Sequence, residues 1–163
     1  TLNRFQGGGK LYVVPFQDIQ VAIRDHCTDS NRVVLYRRMM YRIAHALAEL
    51  KSCQGLVTGE SVGQVASQTL RNLMAVSCVV PMSVFRPLIG MNKQEIITQA
   101  KKIGTYDISI EPQPDCCSVF MPDHPSTNCK IKYLEADERL YPWEELKSSA
   151  LDSVETIDLD DLD

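Results

Sequence analysis

Short apolar segments with strand character alternate with amphipathic helices along residues 10–104, and this alternation constrains the fold more than any other feature. β-Branched and aromatic residues mark the strands, whereas the helices show apolar residues at spacings of three and four. The pattern predicts an α/β protein whose helices pack on a mostly parallel sheet. The predicted strands are 10–14, 55–58 and 82–85, and the predicted helices are 16–27, 33–50, 64–74 and 92–103.

The composition is that of a globular protein without membrane segments. The 163 residues are 44% hydrophobic and 23% charged, which is enough for one core of ordinary size. No apolar run approaches the ~20 residues of a spanning helix, and the polar, glycine-rich start does not resemble a signal peptide. Six cysteines, none in a C-x-x-C pair, are too sparse for a secreted disulfide scaffold. We expect a cytoplasmic protein with free thiols and no membrane partner.

Charge is divided unevenly along the chain. Residues 1–134 hold 15 Lys and Arg against 10 Asp and Glu, whereas residues 135–163 hold two against 11. A mildly basic body favours a polyanionic partner. The acidic end has two interpretations, a solvated tail or a strip that docks on a basic neighbour. We therefore predict a main domain over residues 1–134 and an acidic C-terminal extension over residues 135–163.

The segment 59–70 (GESVGQVASQTL) follows a predicted buried strand and is the richest candidate site. Ligands of parallel sheets bind at the carboxyl ends of strands, where loops meet helix N-termini. Gly59 allows close backbone approach, and Gln68 offers an amide donor and acceptor. The alternative is a plain strand-to-helix connection. On the preceding helix, Arg37 and Arg38 either reach phosphates or form a solvated basic face.

The same loop also matches the G-x-S-x-G nucleophile elbow of serine hydrolases. Ser61 would be the nucleophile, and Asp115 and His124 follow in the required chain order. The sheet that precedes the motif is too small for the hydrolase fold. The hydrolase is therefore the weaker alternative.

Cys116 and Cys117 form a vicinal pair in a loop rich in Pro and Asp, where a reactive thiol is plausible on chemical grounds. Zinc ligation together with His124 and Cys129 is the alternative, but the spacing matches no common zinc pattern. The sequence favours sulfur or redox chemistry over a metal. Three other cysteines are expected to be buried and structural, namely Cys27, Cys53 and Cys78.

Taken together, these segments resemble one family, the tRNA uridine 4-sulfurtransferases known as ThiI. The matching blocks run in family order from about residue 1 to 128. They are VPF (14–16), RRMM (37–40), LVTGESVGQVASQTL (56–70), RPLIG-NK-EII (86–97), IGTYDISIEP (103–112) and DCCSVF (115–120).

The resemblance implies a Rossmann-like, three-layer α/β fold of the PP-loop ATP pyrophosphatase type. It also implies a reaction in which ATP adenylates the 4-oxygen of a tRNA uridine and persulfide sulfur replaces it. The 4-oxygen is a poor leaving group until it is activated, and a persulfide is a strong soft nucleophile. The implied partners are tRNA, a cysteine desulfurase as sulfur donor, a thiamine sulfur-carrier protein and a second copy in a homodimer.

The resemblance also implies roles for individual residues. It assigns three contacts to ATP, which are Arg37, Gly59 and Gln68. Lys93 aligns with a lysine linked to activation, where a cation neutralises phosphate charge. Cys117 aligns with the sulfur-handling cysteine, and Cys116 is its neighbour. The family has an acidic residue where this chain has Asn92.

One family motif is absent from these 163 residues, namely the pyrophosphate-binding string S-G-G-x-D-S. Residues 1–5 resemble the last turn of a helix that exits through Gly7, Gly8 and Gly9. We therefore expect a fold that is incomplete at its N-terminal side, and a chain that is inactive alone. It is either part of a longer sulfurtransferase or a degenerate homologue that serves as a binding subunit.

Overall fold

A computed structural model describes residues 1, 3–112 and 120–161 of the chain. Helices and strands alternate along it as the sequence predicts. The strands are β1 (Lys10–Val13), β2 (Gly55–Val57), β3 (Ser83–Phe85) and β4 (Glu155–Asp158). The helices are α1 (Asn3–Gln6), α2 (Gln17–His26), α3 (Arg32–Leu50), α4 (Leu70–Ser77), α5 (Lys93–Lys102), α6 (Tyr106–Ser109), α7 (Ile131–Glu138) and α8 (Trp143–Asp152).

Local signals position several helix ends as predicted. Asn92 accepts a hydrogen bond from the Glu95 amide at 3.0 Å, and the Glu95 carboxylate accepts one from the Asn92 amide at 2.7 Å. This reciprocal capping box begins α5. Gly104, at φ +72°, follows its C-terminus in a left-handed conformation that glycine adopts without strain. Residues 3–6 form a short helix that leads into the glycine run, as expected.

The helix predicted over 64–74 is wrong at its start. Residues 66–68 form a 3₁₀ turn, and α4 begins only at Leu70. Thr69 is the reason, since its backbone is extended and its hydroxyl accepts a hydrogen bond from the Asn72 amide at 3.2 Å. This N-cap ends the helix on its upstream side. Gln68 therefore belongs to the loop before α4 and not to its first turn.

Two pairs of strands are present in the described residues. β2 pairs with β3 in parallel, with Leu56 opposite Val84, which confirms the predicted parallel pairing. β1 pairs with β4 in antiparallel fashion, and Leu11 lies opposite Ile157. The acidic end is thus a strand over residues 155–158 and not a solvated tail there. The expected boundary between residues 134 and 135 falls inside α7, and that division stays a prediction.

Helix α3 lies at the centre of the fold and contacts α2, α4, α8 and β2. Its apolar side chains form the middle of the core, together with Ile23 of α2, Val76 of α4 and Leu134 of α7. None of the helices in the described ranges is long and apolar enough to cross a membrane.

A buried ion-pair cluster joins α3 to α7. The carboxylate of Glu138 accepts hydrogen bonds from Arg38 at 2.7 and 2.8 Å and from Arg42 at 2.6 and 2.9 Å. Arg38 is only 2% exposed and also donates to the Ala75 carbonyl of α4 at 2.6 Å. Arg38 therefore fits neither sequence interpretation, because its guanidinium lies in the core and not at a phosphate or on a solvated face.

Replacing Glu138 by glutamine should destabilise the fold strongly. Glu138→Gln leaves two cations beside the core without a counter-charge, and we expect the free energy of unfolding to fall by about 3 kcal/mol. Urea unfolding of the variant measures this loss. Glu135→Gln, at an exposed position of the same helix, should change it by less than about 0.5 kcal/mol.

The wild type and Glu138→Gln can also be compared as a function of pH. Burial raises the pKa of Glu138, but hydrogen bonds from Arg38 and Arg42 outweigh it and hold the pKa below the usual 4.5. Its stabilisation is therefore present above pH 4.5 and is lost as the pH falls through the lowered value. The gap in stability between wild type and Glu138→Gln should shrink in acid. A gap that stays constant would contradict this assignment.

Candidate functional site

The loop after β2 is built around one buried carboxylate. Glu60 is 3% exposed and accepts hydrogen bonds from the Tyr41 hydroxyl at 2.6 Å, from Arg86 Nε at 2.6 Å and from the Thr58 hydroxyl at 3.0 Å. Arg37 donates to its other oxygen. Glu60 thus joins α3, the end of β2 and the end of β3 at one point.

These donors keep Glu60 ionised. Burial raises the pKa of its carboxyl, but hydrogen bonds from Tyr41 and Arg86 and the charge of Arg37 outweigh burial and lower the pKa. A permanent anion at this position fixes the side chains of two arginines. The sequence analysis did not identify Glu60 as a site residue. One signal for it was present, since no other Asp or Glu occurs between Glu60 and Glu95.

Two of the predicted nucleotide contacts have a buried polar atom without a partner. Within residues 3–112 and 120–161, four buried side-chain atoms lack a hydrogen-bond partner, and two of them are Arg37 Nε and Gln68 Oε1. Such an atom costs about 1–3 kcal/mol, which a ligand hydrogen bond recovers. At Gly59 a side chain would meet no atom within 4 Å, so the backbone there is open to close approach. One donor and one acceptor thus lack a partner within the protein, and one backbone position is open.

The loop is held rigid by its own backbone and by the segment before α5. Gly63, at φ +77°, donates its amide to the Gln68 carbonyl at 3.0 Å and closes the loop. The Val62 amide donates to the Ile89 carbonyl at 3.1 Å. The Ser61 hydroxyl donates to the Met91 carbonyl at 2.6 Å. These contacts hold the segment that precedes Lys93 against the loop, and Lys93 itself is exposed as the first residue of α5.

The geometry of Ser61 does not support the hydrolase alternative. Ser61 is 2% exposed, and its hydroxyl donates a hydrogen bond to the Met91 carbonyl. His124 lies at an exposed position, and Asp115 falls outside the described residues. Ser61 therefore serves to attach two loops to each other.

The cysteines differ from the sequence expectation. Cys116 and Cys117 lie outside the described residues. Cys53 and Cys78 are exposed, so the prediction that they are buried is wrong, because both lie in turns just after a helix. Cys27 is partly buried, as expected, and burial raises its pKa to about 12.

The segment after the vicinal cysteines is anchored at α2 and α3. The Phe120 carbonyl accepts a hydrogen bond from Arg32 Nη1 at 2.7 Å, and its ring lies 4.5 Å from the Arg24 guanidinium carbon. The Ser126 amide donates to the Ser30 carbonyl at 2.9 Å. Cys129, which the zinc alternative invokes, is buried, and its thiol donates to Asn31 Oδ1 at 3.4 Å.

The architecture is that of an α/β domain with a candidate ligand loop after a parallel strand. The chain is similar to a crystal structure of a 4-thiouridine synthetase–RNA complex with bound ATP, with a TM-score of 0.89 and 38% identity. The match covers 96% of this chain and 42% of that chain.

Sequence relatives and a family model agree with the structure. Probable tRNA sulfurtransferases of Moorella thermoacetica and Thermus thermophilus are 44% and 46% identical to the chain, and each match covers 96% of it. A family model described as Thiamine biosynthesis protein (ThiI) matches residues 1–141. The chain therefore belongs to the ThiI family, which confirms the resemblance seen in the sequence. The matches cover 40% and 38% of the two relatives, so the chain spans about two fifths of their length.

Proposed function

We propose that this chain forms part of an ATP-dependent sulfurtransferase that replaces the 4-oxygen of a tRNA uridine with sulfur. The observation that carries the proposal is that Gln68, in the loop after β2, and Arg37 of α3, which binds Glu60 of that loop, each have a buried polar atom without a partner. Relatives named tRNA sulfurtransferase and a neighbour structure with bound ATP and RNA support the same reading.

The polar groups of this loop fit a nucleotide. Gln68 Oε1 accepts a hydrogen bond, and the amino group of adenine and the hydroxyls of ribose are donors. Arg37 supplies a donor and a positive charge, and its guanidinium is fixed by Glu60. The open backbone at Gly59 lets a flat group approach closely. Glu60 is therefore a positioning residue that acts through Arg37.

Activation and sulfur transfer fall to other residues in this proposal. ATP, when bound, supplies the adenylyl group that turns the uridine 4-oxygen into a leaving group. Lys93 places a mobile cation beside the developing phosphate charge. Cys117 carries the persulfide, whose outer sulfur attacks the activated uridine carbon and displaces AMP, so that a disulfide joins Cys117 to the uridine sulfur. Cys116 or an external thiol then attacks the Cys117 sulfur and releases the thiolated uridine, and the disulfide left on the enzyme is reduced by an external thiol. A cysteine desulfurase loads the cysteine, and a thiamine sulfur-carrier protein is a second acceptor, in line with the description of the family model.

Catalysis further requires a pyrophosphate-binding loop, and these 163 residues contain no S-G-G-x-D-S string. We propose that residues 1–134 form the C-terminal part of a PP-loop ATP pyrophosphatase domain, with residues 135–163 as an acidic extension. The chain alone would then bind ATP weakly and be inactive. We also propose that the protein is cytoplasmic and forms a homodimer.

The function is tested by measuring 4-thiouridine in tRNA. The protein that carries this chain, expressed in cells without their own tRNA sulfurtransferase, should restore 4-thiouridine in digested tRNA analysed by mass spectrometry. Cys117→Ser should lower the product by about 100-fold or more, because it removes the sulfur nucleophile. Cys53→Ser, which removes an exposed thiol elsewhere in the chain, is the matched control. No product from the wild type, or an unaffected Cys117→Ser, refutes the proposal.

Gln68→Met separates binding from stability. The substitution removes a buried acceptor without a partner, so the stability of the free protein should stay the same or rise by up to about 1 kcal/mol. The KM for ATP should rise roughly 5- to 10-fold, because one ligand hydrogen bond is lost. Gln64→Met, at an exposed position of the same loop, should change neither. Loss of stability with an unchanged KM would show a purely structural role.

Alkylation rates should single out Cys117. The thiolate is the species that reacts, so Cys27, with a pKa of about 12, should react slowly at neutral pH. Burial also raises the pKa of Cys129. Cys53 controls for exposure, since it is exposed. Cys78 controls for a nearby cation, since its sulfur lies 3.4 Å from Arg38 Nη1. Brief treatment with iodoacetamide followed by peptide mapping gives the rates. Cys117 must exceed Cys53 and Cys78, and an equal rate would make the vicinal pair structural.

A further inference from the structure

Two segments that meet at the start of α4 contain no acidic residue. The chain has 21 Asp and Glu, yet residues 61–94 and 124–134 have none. The two segments carry four exposed basic side chains, which are those of Arg71, Lys93, Lys130 and Lys132. Each of these two segments therefore carries only positive charge, although the net charge of the chain is −4, and the first contains the candidate nucleotide loop.

Hydrogen bonds join the two segments at the start of α4. Asn72 is completely buried, and its amide nitrogen donates to the carbonyls of Ala66 and Ser126, both at 2.8 Å. Its oxygen accepts from the Cys129 amide at 2.9 Å. The Thr69 hydroxyl donates to the Thr127 carbonyl at 2.8 Å. The basic stretch before α7 is thus fixed against the residues that directly follow Gln68.

An exposed aromatic ring stands beside the lysines of the second segment. Tyr133 is 52% exposed, and its ring centroid lies 4.7 Å from Lys132 Nζ and 6.0 Å from Lys130 Nζ. The next residue, Leu134, is fully buried in the core and holds α7 in place. The ring is therefore presented to solvent from a rigid helix.

We propose that Tyr133, Lys130 and Lys132 form a contact surface for RNA, in which the ring stacks on an unpaired base and the lysines bind phosphates. Stacking of a base on an aromatic ring is stronger than an exposed contact between lysine and a ring, so a base displaces the lysine side chains. Their positive charges then meet the neighbouring phosphates. The identity of the RNA as tRNA rests on the proposed function, whereas the surface follows from the charge pattern and geometry given above.

The exposed ring between Lys130 and Lys132 favours RNA over an acidic protein as the occupant, and Glu135 is the exposed acid that follows it on α7. An exposed aromatic ring between flexible cations is the usual surface for single-stranded nucleic acid, because every base has a face that stacks. Hydrogen bonds from Thr69 and Asn72 hold the segment before α7 against the residues that follow Gln68.

The test is equilibrium binding of a fluorescent tRNA transcript to the protein that carries this chain, without ATP or sulfur donor. Tyr133→Ala should weaken binding by roughly 5- to 20-fold, while Tyr133→Phe should bind like the wild type because it keeps the ring. Tyr106→Ala is the matched control, since Tyr106 has a similar lysine contact, with Lys101 Nζ at 4.8 Å. Lys132→Ala should lower the slope of log K against log salt by about 1.

Three results would overturn the surface. The first is equal affinity of Tyr133→Ala and Tyr106→Ala for the tRNA transcript, and the second is an equal loss of affinity in Tyr133→Phe and Tyr133→Ala. The third is competition by poly-glutamate as strong as that by unlabelled tRNA, which would indicate an acidic protein partner. Thermal unfolding of each variant shows whether it is folded, and Tyr133→Phe still decides if Tyr133→Ala is not. Because the binding assay involves no sulfur transfer, absence of 4-thiouridine would refute the proposed function and leave this result intact.

Discussion

Two buried carboxylates on either side of helix α3 organise the structure. Consecutive residues of a helix point about 100° apart, so Arg37 and Arg38 serve different partners. Arg37 binds Glu60 in the loop after β2, whereas Arg38 binds Glu138 of α7. Taking these ions out of water is costly, and it is offset only because several charge-assisted hydrogen bonds converge on each carboxylate. One helix thereby fixes both the core and the candidate site.

This arrangement leaves the site rigid with few uncommitted groups. Ser61 holds the loop by a hydrogen bond to Met91, which lies outside it, and Gly63 holds it by a hydrogen bond to Gln68 within it. Glu60 is shared among four donors and has no role left for a ligand. What stays available are Gln68 Oε1 and Arg37 Nε, fixed in place before a ligand arrives. Polar groups oriented in advance bind and stabilise charge without the cost of reorganisation.

Acidic and basic residues are separated in the folded structure as well as along the sequence. The acidic end is tied down by the pairing of β4 with β1, and Asp158 lies 4.0 Å from Lys10. Residues that flank the candidate site carry cations without acids, over 61–94 and 124–134. A net negative charge thus coexists with a surface suited to a polyanion.

The sequence by itself determined α2, α3 and α5, the parallel strands β2 and β3, and the family, because periodicity, caps and contiguous motifs are local signals. It also pointed to the loop of Gly59 and Gln68, whose placement after a strand is local too. Only the tertiary structure decided the burial of Arg38, whose partner Glu138 lies 100 residues away. The same holds for Glu60, because the sequence does not show that four donors surround its carboxylate. The pairing of β4 with β1 joins the two ends of the chain, and in the sequence the residues of β4 look like a solvated tail. These long-range ion pairs and strand pairings depend on burial and charge balance in the folded chain, and no local sequence pattern encodes them.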